Sequence, residues 1–391
     1  MITECNQAGR KNRSVPALEE NAARILPAVE RAIAELRRGA AVIVQRPDGQ
    51  SALIQASETS SDKSLNKLRY ISNAEPCLLL TARRAAAIGI TEAEPLINTT
   101  EVIAFALDGM SPEAASYLAD PVHDPLGINL RHDNFLTTEV PEILARNAVL
   151  LTKLACLLPA ALFVNLPDGK DTELAKTHNL LVVSASDIAS YRSTAAYSLK
   201  KVASAQVPLE MAEKTTVVAF RPKDGGTEHL ALVIGDPDPN QPTLIRLHSE
   251  CFTGDLLGSL RCDCGDQLRG AIKLMEEQGG GVLLYLSQEG RGIGLMNKLR
   301  AYELQDRGAD TSDANELVGF DPDERIYIPA AEMLRQLGYD EVRLLTNNPE
   351  KATALIECGI EVIEMVPHHF PSNGHNEFYL KTKATRFGHK L

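Results

Sequence analysis

Apolar residues fall into two spacings along this chain, and the spacings alternate. Ile25, Val29, Ile33 and Leu36 recur every three or four positions and predict a helix that Gly39 ends. Ala41-Val42-Ile43-Val44 follows as a continuous apolar run, which reads as a buried strand. Ala52-Leu53-Ile54 and Cys77-Leu78-Leu79-Leu80 read as further strands, and Ala82 to Ile88 as a helix stopped by Gly89. A helix around Val149 to Cys156, a strand Ala161 to Val164 and a strand Leu180 to Val183 continue the alternation, and Ser186 to Arg192 closes it. Residues 1–16 are polar and read as a loose tail, and residues 194–213, of mixed polarity, as a helix-and-loop connector.

The second half opens differently. Thr215 to Phe220 and His229 to Gly235 read as antiparallel strands across the turn Asp224-Gly225-Gly226, and Thr243 to His248 as the next strand. Leu268, Ile272 and Met275 mark one helix face, ended by Gly279-Gly280-Gly281, and Val282 to Leu286 is an apolar strand. Residues 293–307 read as a helix with Leu295, Leu299 and Tyr302 on one face, and Glu377 to Leu391 as a C-terminal helix. The expected architecture is an α/β domain over residues 17–193, then an α+β domain with a mixed sheet over residues 214–391.

Composition narrows the function classes. At 391 residues and 44% hydrophobic content, the chain is long enough for two packed domains. A net charge of −12 and the absence of Trp disfavour nucleic acid as a partner. No run is long or apolar enough to span a bilayer, and Met1 to Cys5 has no signal-peptide pattern, so a cytoplasmic location is expected. Of the 7 cysteines, Cys251, Cys262 and Cys264 form a Cys-x10-Cys-x-Cys cluster, which fits a metal site in a reducing compartment better than a disulfide framework.

Zinc takes thiolates readily and prefers four ligands, so three cysteines leave a place for water. Closure by His248 or by a distant residue would instead make the site structural. The loop Gln288-Glu289-Gly290-Arg291-Gly292-Ile293-Gly294 follows a strand; its glycines permit close backbone approach, and Arg291 can pair with phosphate. The same spacing also occurs in ordinary strand-to-helix turns. Asp321-Pro322-Asp323-Glu324-Arg325 reads by composition as a solvated charged turn. In Thr346-Asn347-Asn348-Pro349-Glu350-Lys351 a strand gives way to a helix start, where an anion can bind, although Asn348 as an ordinary cap explains the pattern as well. His368, His369 and His375 lack acidic or cysteine companions and read as loop residues.

Residues 24–193 resemble 3,4-dihydroxy-2-butanone 4-phosphate synthase, through AIAELRRGAAVIV at 32–44, the segment SYLADP at 116–121, and residues 151–169 and 178–192. That family holds magnesium on a dense acidic loop after its first strand. Here the loop is Gln45-Arg46-Pro47-Asp48-Gly49-Gln50, with one carboxylate, and the family's Gly-His-Thr-Glu is replaced by Ile143-Leu144-Ala145-Arg146. The resemblance therefore implies a retained scaffold or dimerisation module without synthase activity; a bifunctional enzyme is the other reading.

Residues 207–391 resemble GTP cyclohydrolase II, on RLHSECFTGDLLGSLRCDCGDQL, the run from SQEGRGIG to FDPDER, VRLLTNNPEK and GHNEFYLKTKATRFGH. The resemblance implies hydrolysis of GTP to a diaminopyrimidinone ribosyl phosphate, formate and pyrophosphate, at the entry to riboflavin synthesis. It implies one zinc ion per subunit on Cys251, Cys262 and Cys264, activating water, and magnesium with the triphosphate. It places Arg246, Leu247, His248, Ser249, Glu250, Glu289, Gly290, Arg291 and Thr311 against the nucleotide. Gln267 reads the guanine, and Thr346 and Lys351 hold the phosphate end. Arg325 is the implied nucleophile toward the α-phosphorus, Asp323 the proton acceptor and Tyr302 a support for ring opening. A homodimer is expected of both families. A non-catalytic GTP-binding regulator with a structural zinc is the reading from another class.

Overall fold

A computed structural model of the chain describes residues 15–89, 101–107, 112–122, 136–223, 225–309 and 311–368; the side chains of 15–19, 112–114 and 311–313 are not among them. The expected tail up to residue 14, Asp224, His369, His375 and the expected C-terminal helix lie outside the described residues.

Two compact units emerge. One is Ile25–Tyr191 with Ile293–Glu324; the other is Arg192–Gly292 with Arg325–Leu391 and Met1–Arg24, in their described residues. In chain order the elements before residue 200 are α1 (Val15–Arg37), β1 (Val42–Gln45), β2 (Ser51–Ala56), α2 (Asp62–Ser72), β3 (Cys77–Thr81), α3 (Ala82–Ala87), β4 (Val102–Ala106), α4 (Pro112–Ala119), α5 (Glu142–Leu154), β5 (Ala160–Leu166), α6 (Asp171–His178), β6 (Leu181–Ser184) and α7 (Ala185–Tyr197). The first unit's sheet has the order β4-β3-β5-β2-β1-β6. Its pairs are antiparallel except β1 with β6. Leu26, Val29, Ile33 and Leu36 of α1 are buried, each contributing roughly 1.5–3 kcal/mol.

The later elements are β7 (Lys200–Gln206), β8 (Thr215–Arg221), β9 (His229–Gly235), β10 (Thr243–Ser249), α8 (Cys264–Glu277), β11 (Gly280–Leu286), α9 (Leu295–Asp306), α10 (Thr311–Val318), α11 (Ile328–Leu337), β12 (Glu341–Leu345), α12 (Pro349–Glu357) and β13 (Glu361–Val366). The second unit's sheet runs β13-β12-β10-β11-β9-β8-β7. It is mixed: β13, β12, β10 and β11 are parallel neighbours, and β9, β8 and β7 add antiparallel strands. Lys200–Gln206, in the stretch expected to be a helix-and-loop connector, is instead the edge strand β7. Its ladder with β8 outweighs its weak hydrophobic pattern.

Two expectations fail on packing. On α9 the buried residues are Asn297, Lys298, Ala301 and Leu304, while Leu299 is exposed. The Asn297 amide is satisfied inside, donating to the carbonyls of Ile293 at 3.0 Å and Cys156 at 3.1 Å, so a polar residue takes the inner face. The turn at 321–325 is not solvated: Asp321 and Glu324 are buried against cations of the first unit.

Candidate active site

The chemistry of the second unit gathers where its parallel strands end. Strand β10 is buried along nearly its whole length and leads into Glu250 and Cys251; β11 leads into Gln288 and Glu289; β12 leads into Thr346. Adjacent parallel strands end side by side, so loops far apart in sequence share one edge, the usual place for ligands in such sheets. Side chains alternate along β10, which sets Leu244, Arg246 and His248 on one face. Leu244 packs with Ile272 and Met275 of α8, so Arg246 and His248 look toward that helix.

The cysteines come from three places. Cys251 follows β10, the π-helical turn Phe252–Leu256 carries the chain back, and Cys264 opens α8 two residues after Cys262. Their ligand atoms lie within 4.8 Å of one another, with Cys251 Sγ and Cys262 Sγ 3.7 Å apart. Gly254 is the residue this requires. A Cβ there would stand 2.8 Å from Cys262 Sγ and 3.0 Å from Cys251 Sγ. The Gly254 N–H donates to Cys251 Sγ at 3.3 Å. Hydrogen bonding with Cys251 pushes the Cys262 thiol up to about 11, and Cys264 rises too, first through Cys251 and then Cys262. Three crowded thiols resist becoming thiolates unless a cation shares the space, so this donor set suits a soft-ligand metal. Among the described residues no fourth His, Cys or carboxylate joins the cluster.

A polar wall surrounds the sulfurs. Asp255 accepts from the Cys251 N–H at 3.0 Å and from Tyr285 Oη at 2.9 Å, and both its oxygens lie 3.1 Å from His248 Nε2. The His248 ring stacks on Tyr285 at 5.6 Å, and burial lowers its pKa. Arg246 donates to Gln267 Oε1 at 2.6 Å and to the Leu345 carbonyl at 3.2 Å; burial brings its pKa down to about 10. Gln267 in turn donates to Asp263, which fixes its amide. Burial, then Glu289, raises the Glu250 carboxyl.

Glu289 accepts from the Phe252 N–H at 2.6 Å and the Gly290 N–H at 2.9 Å, tying the glycine loop to the cysteine loop. Gly290 (φ 64°) and Arg291 (φ 63°) are both left-handed. Such a conformation in a non-glycine residue is uncommon and concentrates at ligand-binding loops. Lys351, in the first turn of α12, donates from Nζ to the Leu247 carbonyl at 2.9 Å. Asn348 caps that helix through the Glu350 N–H at 2.9 Å, while Thr346 Oγ1 accepts from the Asn348 N–H at 3.1 Å. Arg325 Nη1 lies 3.4 Å from Ser249 Oγ, and its guanidinium sits 5.9 Å from the Tyr327 ring centre.

Of the residues singled out in the sequence, those at 246–251, 262, 264, 267, 289–291, 325, 346 and 351 belong to the second unit. Tyr302, Thr311 and Asp323 belong to the first. Tyr302 is half-buried on α9, with Lys298 Nζ 5.6 Å from its ring centre; Thr311 is the first residue of α10; Asp323 is half-buried in the turn before Arg325.

Sequence reasoning missed Asp255, Asp263 and Tyr285; His368, read as a loop residue, does lie in the loop after β13, but its burial was not foreseen. His368 is buried, with Nδ1 3.0 Å from Arg246 Nη1. Asp255 carried one signal, a carboxylate four residues after Cys251. The others become visible only through pairing, as when His248 aligns with Tyr285 across β10 and β11.

The family model for GTP cyclohydrolase II matches residues 200–367. The chain is 52% identical over 365 residues to a GTP cyclohydrolase-2 of Azospirillum brasilense, covering 93% of each. It is 35% identical over 396 residues to a riboflavin biosynthesis protein RibBA of Phocaeicola vulgatus, covering 94% of this chain and 98% of that one. Among solved structures, RibBX, a two-domain 3,4-dihydroxy-2-butanone 4-phosphate synthase of A. baumannii, matches at 17% identity and a TM-score of 0.33, covering 88% of this chain and 99% of that one. That last likeness is too distant to bear on activity.

Proposed function

Since this chain belongs to the GTP cyclohydrolase II family and is an enzyme of riboflavin-pathway GTP hydrolysis, we propose that the reaction takes place at the carboxyl edge of its second sheet, with zinc on Cys251, Cys262 and Cys264. The observation that carries this is the three-sulfur cluster, its ligand atoms within 4.8 Å of one another and joined by no fourth such ligand among the described residues. Zinc held there supplies a bound water whose pKa falls toward neutrality. The products are 2,5-diamino-6-(5-phosphoribosylamino)pyrimidin-4-one, formate and pyrophosphate.

In this reading the chain's own groups divide the work. Asp255 holds the His248 ring and the Cys251 backbone, so the residues leading into the cluster are fixed before substrate arrives. Gln267, locked between Arg246 and Asp263, reads the guanine edge. Ser249, Glu250, Glu289 and the left-handed pair Gly290-Arg291 line the nucleotide. Thr346 and Lys351 meet the phosphates at a helix N-terminus, where backbone N–H groups favour an anion. Magnesium accompanies the triphosphate and offsets its charge. Arg325 attacks the α-phosphorus, so a P–N bond forms as the bond to pyrophosphate breaks, and a water then cleaves the P–N bond to free the ribosyl phosphate. A guanidinium must lose a proton to attack, and Asp323 accepts it. Tyr302 supports ring opening and Thr311 contacts the nucleotide. The protein works as a cytoplasmic homodimer, and its N-terminal region makes no dihydroxybutanone phosphate.

The test is incubation of the purified protein with GTP and magnesium, following formate, pyrophosphate and the product mass. One formate and one pyrophosphate per GTP are expected. GTP binding without turnover would make the protein a regulator, and a product that keeps the formyl group would move the end point one step earlier. Arg325→Ala is expected to abolish pyrophosphate release, a fall of at least about 10³-fold.

A further inference from the structure

Arg246, Asp263, Gln267 and His368 all belong to the second unit, and one line of hydrogen bonds joins them. Arg246 Nη1 reaches His368 Nδ1 at 3.0 Å and the Leu345 carbonyl at 3.2 Å, and its Nη2 reaches Gln267 Oε1 at 2.6 Å. A guanidinium only donates, so His368 Nδ1 and Gln267 Oε1 both accept. Gln267 Nε2 donates to Asp263, whose carboxylate only accepts. The Asn347 side chain holds the far end, accepting from the His368 N–H at 2.9 Å and donating to its carbonyl at 2.7 Å. Asp263 stands at the N-cap of α8, where an aspartate ordinarily accepts from a backbone N–H of the first turn. Its side chain makes no capping bond and reaches Gln267, one helical turn on. Arg246, Asp263 and His368 are 6%, 5% and 7% exposed while Gln267 is half-buried, so a ligand meets this line at Gln267.

We propose that Asp263 is a specificity-determining positioning residue: with Arg246 it fixes which end of the Gln267 amide is carbonyl and which is NH2, so that the site reads guanine and refuses adenine. The proposal rests on the reading above in which Gln267 meets the base. A glutamine amide that is free to turn over serves either base. Guanine offers an acceptor beside a donor, O6 and N1–H; adenine offers them in the opposite order, N6–H and N1. Beyond its bonds to Arg246 and Asp263, the Gln267 amide keeps one lone pair on Oε1 and one N–H on Nε2. A fixed acceptor beside a fixed donor matches one order only. Adenine in the place of guanine would set donor on donor and acceptor on acceptor, and polar groups left unpaired away from water weaken binding. Asp263 makes the wrong orientation costly at both ends, since a turned amide would point its NH2 at a guanidinium and its carbonyl at a carboxylate.

The test titrates the zinc-loaded, full-length protein, with magnesium, using the α,β-methylene analogues of GTP and ATP, and reads the ratio of the two dissociation constants. Asp263→Ala should lower the preference for guanine by about 10-fold or more while zinc content stays as in the wild type. Asp263→Asn still presents a carbonyl to Gln267 Nε2 and should restore most of the preference. A purely structural role for Asp263 would weaken both analogues alike and leave the ratio where it was. A folded, zinc-loaded Asp263→Ala with the wild-type ratio therefore overturns the proposal. If Asp263→Ala fails to fold or loses zinc, Asp263→Ser, which can cap α8 but is one bond shorter, takes its place under the same criteria; if that variant fails too, the proposal ends. Because the readout is binding, it does not depend on turnover. A wild type that prefers the GTP analogue through Asp263 but releases neither formate nor pyrophosphate from GTP sinks the cyclohydrolase reading alone. An active wild type beside an Asp263→Ala of unchanged ratio sinks only this proposal.

Discussion

The loop after β1 and the loop after β10 both leave a buried strand carrying polar side chains, and they spend those side chains differently. Gln45, the last residue of β1, donates to Asp171 of α6 at 2.5 Å, but Arg46 to Gln50 closes on itself: the Arg46 N–H reaches the Gln50 carbonyl at 2.8 Å, and the Arg46 guanidinium holds Asp48, the one carboxylate of the loop, at 2.8 Å. Arg46 also donates to the Gln50 side chain at 2.9 Å. This is a hairpin turn with its charges satisfied locally. After β10 the partners lie on other elements: Asp255 answers His248 and Tyr285, Gln267 answers Arg246, and Glu289 answers Phe252. A strand end becomes a site when distant elements hold its polar groups, since those groups then face a shared space rather than their own turn.

Substitutions can break or sharpen this contrast. The largest effect is expected from Cys262→Ser, which should abolish bound zinc and formate release, measured by metal analysis and formate assay, while pyrophosphate release persists. Next is Asp255→Asn, which weakens the acceptor shared by His248, Tyr285 and the Cys251 N–H. Loss of such a supporting carboxylate should cost on the order of 10- to 100-fold in zinc affinity or formate release, read by metal competition and initial rates.

A smaller effect concerns pH. His229 is buried on β9, where its Nδ1 accepts the Ser287 N–H at 3.1 Å, and burial lowers its pKa to about 4 from 6.5. The unfolded chain takes up a proton below pH 6.5 that the folded chain refuses until about pH 4. Stability therefore falls as pH drops through this window, by about 3 kcal/mol in full, and is regained above it. Denaturant titrations between pH 7 and pH 4 should show this slope, and His229→Gln should flatten it. The smallest effect is expected on the other side of the contrast: Asp48→Asn should leave GTP turnover unchanged and shift stability by less than about 1 kcal/mol, because its ion pair with Arg46 is exposed.

Much of the candidate site could be read from the sequence because its signals are local. Three cysteines within fourteen residues fix a donor set whatever surrounds them, and Gly290 and Gly292 announce a loop with left-handed backbone. Helix α1 and strands β1, β2, β3 and β10 follow from apolar periodicity, since burial acts on each element separately. Periodicity misled on α9, where Asn297 satisfies its amide inside and Leu299 stays in solvent. It was silent on β7, an edge strand exposed along its length.

The sequence by itself therefore determined the three-cysteine donor set, the family and the order of most elements, because each depends on residues close together in the chain. Only the tertiary structure decided what Asp255, Tyr285 and His368 do, and that the acidic turn at 321–324 is buried rather than solvated. The physical reason is that a charge is read as solvated until its partner is known, and Lys153, a partner of Glu324, stands 171 positions away.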